Sequence, residues 1–474
     1  MRIVDFLALA AGLGLTWAFG VALLGALYRV APSREPPPAA WLAGTGWFVG
    51  AFGVTLLMRA LSAAGIPFGV ASIGGPVLAL TLAAAWLAAR GRAPAARDGV
   101  RAFFAGLSGR GLDGWERKVW LALIAWLALR FALLFAEVWW RPLYPWDAWT
   151  QWGTKARAWF EMKSMVPFAG VVEFVTAAPG TMLWYDAAPH YPGTVPLLQA
   201  WAALLIGRWD DAGANLPWWV TGIALAIALH GAFVMLGLRR LPALVGATMV
   251  ATLPIVNVHV ALAGYADLPM ACYLTLGTLA ALRAIRSRSA ADAVVAAVLL
   301  AAMVLVKNPG KAWILMLLPA FICAAVPRHG LRIAGTMFAA AVFALLVAAR
   351  SGITLFGYHF SPQYAMPWNA LFDAYFSFAN WNLLWYAAVA TAAIAWRQIF
   401  SADVAPYTVA VAGGLMFLFI GFAFTNAGAW VEDQSTVNRA TLHLAPLVVV
   451  WMLVALRAWL RERRPAGTPV PTAP

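Results

Sequence analysis

Thirteen apolar runs of roughly 17 to 25 residues follow one another along the chain, each long enough to cross a hydrocarbon core about 30 Å thick. They begin near residues 3, 40, 70, 118, 216, 242, 268, 290, 311, 333, 381, 404 and 440. That succession excludes an ordinary soluble domain and predicts an all-α, polytopic transmembrane helical bundle of about 13 spans. Composition agrees: of 474 residues, 63% are hydrophobic and only 11% charged, where a soluble domain carries about 25% charged residues. The first run, from about Ile3 to Tyr28, is longer than the apolar core of a signal peptide and lacks a strongly basic start, so it is expected to be a retained span.

The formal charge of +14 could point to nucleic acid, but in a membrane protein basic residues mark cytoplasmic loops. With the stretch from Arg90 to Lys118 on the cytoplasmic side, alternation puts Arg29/Arg34, Arg239/Arg240, Arg283/Arg286/Arg288, Arg328/Arg332, Arg397 and Arg457/Arg461/Arg463/Arg464 there too. The N-terminus is then outside, the C-terminus inside, and residues 140–215, 352–380 and 426–439 face outward. Four segments are expected: an N-terminal three-helix module (1–90), a basic cytoplasmic linker (91–117), a ten-helix transmembrane region (118–462) and a disordered cytoplasmic tail (463–474). Gly46 and Gly50 have the spacing of a close helix-packing motif. Cys272 and Cys323 lie in different runs near opposite faces, which speaks against a disulfide between them. There is no fixed-period repeat, nucleotide-binding glycine loop or nucleic-acid motif.

The first long outer stretch carries Tyr144-Pro145-Trp146-Asp147-Ala148-Trp149 directly after an apolar run, which puts Asp147 at the membrane rim. Read as a helix, Trp149, Trp152, Ala156 and Trp159 form one apolar stripe with Lys155, Arg157 and Lys163 off it, the pattern of a helix lying flat on the bilayer. The bland alternative is an interfacial aromatic belt with an incidental carboxylate. A second helix, from Leu197 to Gly207, is too short to span and is expected to be interfacial or re-entrant.

Ionisable residues at the rim of a span are costly and therefore functional candidates. Asp147 heads the Trp-rich helix, and Asp267 lies in Gly264-Tyr265-Ala266-Asp267-Leu268-Pro269 at an outer turn; each could instead be a helix cap. Lys307 and Lys311 bracket Asn308-Pro309-Gly310, where snorkelling is the alternative. Arg439 and His443 stand one helical turn apart at the start of the last span, although a lone His there is more often a packing residue. Arg130 and Glu137, inside the fourth run, are too far apart to pair directly and each needs another partner.

An Asp in the first outer loop, His190-Tyr191-Pro192-Gly193-Thr194-Val195-Pro196-Leu197, Tyr265-Ala266-Asp267-Leu268-Pro269 and a Lys near the next outer turn together resemble the GT-C class of membrane glycosyltransferases. Within it they are most similar to aminoarabinose transferases, protein O-mannosyltransferases and lipopolysaccharide-core sugar transferases. The resemblance covers about residues 117 to 325, extends by topology alone to the C-terminus and leaves out the first 110. One departure stands out: Asp147 is followed by Ala148, where mannosyltransferases of the class tend to have paired acidic residues.

The resemblance implies a GT-C bundle in the cytoplasmic (inner) membrane, with its active site facing the periplasm or exterior. It implies a polyprenyl-phosphate sugar donor and a lipid, glycan or protein acceptor, with no nucleic acid involved. Asp147 would be the base or acceptor-orienting carboxylate, and Asp267 would bind hydroxyls or join Asp147 around a divalent ion, no cofactor being certain. Lys155, Arg157, Tyr185, His190, Tyr265, Lys307, Lys311, Arg439 and His443 would contact substrate, with Lys307, Lys311 and Arg439 on the donor phosphate. Two other readings stay open. A polysaccharide ligase or polymerase with a diphosphate-linked donor would rely on Arg439 and His443. A transporter would need broken mid-membrane helices or an inverted repeat, neither of which is evident in the sequence.

Overall fold

The computed structural model describes residues 2–90, 106, 108–355, 358–361, 367–377 and 379–463. Most of the expected basic linker, including Arg97, and the tail beyond Arg463 lie outside the described residues. Among those described, the chain is helical apart from one short antiparallel hairpin, Thr354–Leu355 with Tyr358–His359.

Eight helices are long and apolar enough to cross a membrane: Ile3–Val30, Ala39–Ala63, Val70–Ala89, Gly114–Trp140, Asp211–Met235, Asp267–Ser287, Gly330–Ser351 and Ala405–Phe424. Two bent pairs raise the number to ten if each is one span, Arg240–Ala251 with Pro254–Ala261 at 60° and Ser435–Leu442 with Ala445–Glu462 at 51°. By length and apolar composition, eight to ten helices among the described residues qualify, and the expected thirteen is not reached on that measure. The runs near 290, 311 and 381 fold as helices of 17, 17 and 11 residues, rising only about 25, 25 and 16 Å.

Glycines let the first helices pack backbone to backbone. A Cβ on Gly20 would fall 1.8 Å from the Gly46 carbonyl oxygen, and one on Gly50 would fall 1.9 Å from that of Thr16, so the Gly46/Gly50 pair does make a close helix contact. Polar links tie the same helices to later ones: Trp47 Nε1 donates to Thr221 Oγ1 (2.9 Å), Tyr273 OH to the Phe48 carbonyl (2.9 Å) and Trp201 Nε1 to Thr16 Oγ1 (3.2 Å). The first two helices thus share one apolar core with the Asp211–Met235 and Asp267–Ser287 helices. Cys272 and Cys323 are buried free thiols.

Basic residues gather at one end of the bundle through contacts that can be followed from loop to loop. Arg29 donates to the Arg90 carbonyl, Arg283 to Asp292 and the Glu35 carbonyl, Arg286 to the Asp403 carbonyl, and Arg457 to the Leu236 carbonyl. Asp267 lies at the far end of the Asp267–Ser287 helix, whose 21 residues rise about 30 Å.

The Trp-rich segment packs into the protein instead of presenting its whole stripe outward. It forms a π-helical turn, Ala148–Trp152, followed by Gly153–Met162. Trp152, Ala156 and Trp159 are buried in protein, and only Trp146 and Trp149 remain exposed. Trp159 instead packs with Leu197 and Trp201 of the Thr194–Ile206 helix, itself buried among its neighbours rather than spread at an interface. Three of the four stripe residues therefore face the protein, and Trp149 stays exposed.

Candidate functional site

Four separate segments meet at the end of the bundle away from the arginine-rich loops. Gly264 makes the meeting possible: its φ of +104° is open to glycine without strain, and a Cβ there would lie 2.6 Å from that of Ala148. The 264–267 turn can therefore press against the residue next to Asp147. Gly310 tightens another turn, since a Cβ would fall 2.4 Å from the Met303 carbonyl oxygen, and Lys307 sits on that turn.

Asp267 is the centre of the cluster, with a side chain only 1% exposed. Its Oδ1 accepts from Lys307 Nζ at 2.6 Å and from His443 Nε2 at 3.0 Å. Its Oδ2 accepts from Arg439 Nε at 3.0 Å and Nη2 at 2.9 Å. Four donors fill the four lone-pair positions of a carboxylate, so Asp267 has no capacity left to take a proton from a substrate. Its role is to hold three side chains in place.

Arg439 Nη2 also donates to Asp147 Oδ2, so one guanidinium joins the two acids. The Asp147 side chain is 24% exposed, and no other protein donor reaches it among the described residues. Neither carboxylate caps its helix, because no side-chain cap bond forms at either start; this removes the capping alternative. Arg439 stacks over the Tyr265 ring at 4.1 Å, a cation–π contact, and Trp218 Nε1 pins the Tyr265 carbonyl at 2.8 Å. Burial pushes the Tyr265 phenol above its ordinary value.

The neighbours of His443 define its tautomer. Trp313 Nε1, a donor only, points at His443 Nδ1 at 3.3 Å, so Nδ1 must accept. The ring proton is then on Nε2, facing Asp267, and the imidazole is neutral. Two carboxylates, Lys307, Arg439 and a neutral His443 make a charge-balanced group.

Of the residues expected to bind substrate, Tyr265, Lys307, Arg439 and His443 join Asp147 and Asp267 here. Lys307 and Arg439 converge on Asp267, while Lys311 is exposed and makes no bond to the cluster. Arg157, Tyr185 and His190 are also exposed and outside it; the Tyr185 ring packs on Phe174 at 5.5 Å. Lys155 is 1% exposed, far from the solvated position its place off the Trp stripe predicted. Its amine donates to the Ala188 carbonyl at 2.6 Å and pairs with Asp186 at 3.3 Å. Burial holds Lys155 below and Asp186 above their ordinary values, outweighing their mutual attraction.

Sequence reading missed Asp186 and Trp313 as partners. Asp186 stood in the Tyr-Asp stretch preceding His190, but nothing in an irregular loop announces a partner 31 positions earlier. Arg130 finds its partner in Asn257 Oδ1 (2.8 Å), and Glu137 in Arg141 (2.8 Å).

The idea of a divalent ion shared by the two acids does not fit this arrangement. Arg439 stands between them, the remaining Asp267 oxygen is held by Lys307 and His443, and no group of three His, Cys, Asp or Glu among the described residues is placed to hold a metal. Comparison with family models, curated proteins and solved structures finds no match.

Proposed function

We propose that the chain is a membrane glycosyltransferase of GT-C type, moving a sugar from a polyprenyl-phosphate donor to a hydroxyl on a lipid, glycan or protein at the outer face of the cytoplasmic membrane. The observation that carries this reading is the shared guanidinium. Arg439 bonds a buried, saturated carboxylate and an accessible one, linking Asp147 to a cluster with two partly exposed cations at the end of an apolar bundle.

In this reaction the acceptor hydroxyl gives its proton to Asp147 as its oxygen attacks the anomeric carbon. The bond from that carbon to the phosphate oxygen breaks, and its electron pair leaves with the phosphate. Lys307 and Arg439, preoriented by Asp267, meet the developing charge without having to reorganise. The prenyl chain lies among the helices, where hydrocarbon replaces hydrocarbon.

The two bent helices favour a second reading, transport, because discontinuous helices line many transporter sites. Their details weaken it. Ala445–Glu462 alone rises about 27 Å, so its bend falls near the end of the bundle. At the deeper break, Asn257 Nδ2 donates to the Ala251 and Leu253 carbonyls, so those groups are satisfied internally rather than turned to a solute. The ligase reading has less support, since His443 is buried with both ring nitrogens engaged.

The test is the mass of envelope lipids and glycans from cells with and without the gene. A species lacking one sugar increment is expected in the deletion, and unchanged masses with a changed uptake of small solutes would favour transport.

A further inference from the structure

At the opposite end of the bundle, the loop at 31–34 and the turn at 286–290 line an open polar cavity of about 530 Å³. It is lined by Arg34, Arg286 and Arg288 together with Ser33, Ser287 and Ser289. Its walls are fixed from behind. Asp292 accepts from Arg283 Nε at 2.9 Å, Tyr28 OH at 2.6 Å and Ser287 Oγ at 2.9 Å, while Arg283 also donates to the Glu35 carbonyl. The end of one span and the turn between two helices are thereby locked together across the cavity.

The groups facing inward are not used up by that framework. Neither the Arg34 nor the Arg288 guanidinium has a hydrogen-bond or ion-pair partner among the described residues, and Ser33 Oγ is shielded from solvent without one. Arg286 gives one nitrogen to the Asp403 carbonyl and lies over the Tyr407 ring, so its position is held while its charge stays uncompensated by a carboxylate. Glu35 and Asp403 are nearby but do not line the cavity, and Asp292 is consumed by Arg283.

We infer that this cavity binds a phosphate-bearing anion, and that its occupant is the headgroup of an anionic phospholipid. Guanidinium groups match phosphate oxygens in shape and charge. The cavity opens where the Ile3–Val30 and Asp267–Ser287 helices end, which is headgroup depth for a chain embedded in a bilayer, and basic pockets between membrane helices bind such lipids. The inference does not depend on sugar transfer, since the cavity lies at the other end of the molecule from Asp147.

The test uses the purified full-length protein and Arg34→Gln/Arg288→Asn. Asn is chosen because residue 288 has φ +52°, a conformation it tolerates. Retained lipid is counted by native mass spectrometry, and unfolding temperature is followed in micelles supplemented with cardiolipin, with phosphatidylcholine or with inorganic phosphate. Cardiolipin should bind the parent at least about tenfold more tightly than the double variant, with phosphatidylcholine indifferent to the change. If inorganic phosphate alone stabilises the parent and not the variant, the anion site is upheld and the phospholipid headgroup as its occupant is overturned. Equal cardiolipin and phosphate responses in parent and variant would overturn it. Should the double variant fail to fold, Arg34→Gln, on an exposed loop, carries the same comparison.

Discussion

Asp267 and Asp292 are near-twins at opposite ends of the bundle. Each is buried, each stands within a few residues of the start of a helix, and each is held by three side chains. Their partners differ. Asp292 takes one cation and two neutral hydroxyls, and the cation's remaining bond ends on a backbone carbonyl, so the network closes on itself. Asp267 takes two cations and an imidazole, and one of those cations reaches on to Asp147, which is open to solvent. Burying and satisfying a carboxylate makes a joint in both places. Only at Asp267 does the joint share a donor with an accessible acid, the feature on which the proposed chemistry rests.

Asp267→Asn leaves Lys307 and Arg439 facing a neutral amide, and should cost about 3–5 kcal/mol of stability, as removal of one member of a buried ion network does. Urea or thermal unfolding of the purified protein would show it; a loss below about 1 kcal/mol would mean the cluster is solvated. Asp292→Asn strands a single cation that keeps the Glu35 carbonyl, so about 1.5–3 kcal/mol is expected, with transfer per folded molecule unchanged. A transfer defect there would tie both ends to one function.

The smallest effect sharpens the contrast. Lys155 and Asp186 form a third buried pair, sealed from solvent, with Asp186 Oδ2 lacking any partner. Burial lowers the amine and raises the acid, so between their ordinary values of 10.5 and 3.8 each loses stability by being charged. That loss is relieved for the acid as pH falls and for the amine as pH rises. Replacing both together, Lys155→Met with Asp186→Leu, should therefore be nearly neutral or stabilising at pH 7, while either change alone should destabilise by several kcal/mol. Unfolding midpoints of the three variants decide it, and a double change as costly as the singles would make this pair more than a joint.

Much of this was legible in the sequence because membranes impose long-range order on short signals. Apolar run length announced helices, and alternation of basic loops brought Asp147, Asp267, Lys307, Arg439 and His443 to one expected face, the same residues that meet in space. What sequence could not show was direction. The Trp152, Ala156 and Trp159 stripe has the right spacing for a bilayer-facing surface, yet periodicity does not say whether lipid or the Thr194–Ile206 helix lies opposite. Lys155 was misplaced for the same reason, since a charge off the stripe has water as its default partner until Asp186 is seen. Run length likewise did not fix the number of spans: the runs near 290, 311 and 381 fold as helices of 17, 17 and 11 residues, yet the first still links the Asp292 end of the bundle to the Lys307 end.

On the proposed reading Asp147, not the saturated Asp267, does the proton chemistry. That role is tested most directly by single-turnover transfer of labelled sugar from a polyprenyl-phosphate donor by the parent and by Asp147→Asn, both folded and in the same lipid. Asn keeps the shape and a bond to Arg439 through its oxygen but gives up the basic oxygen, so the rate should fall about 10²–10⁴-fold while donor affinity changes far less. Transfer by Asp147→Asn at near the parent rate would contradict the account.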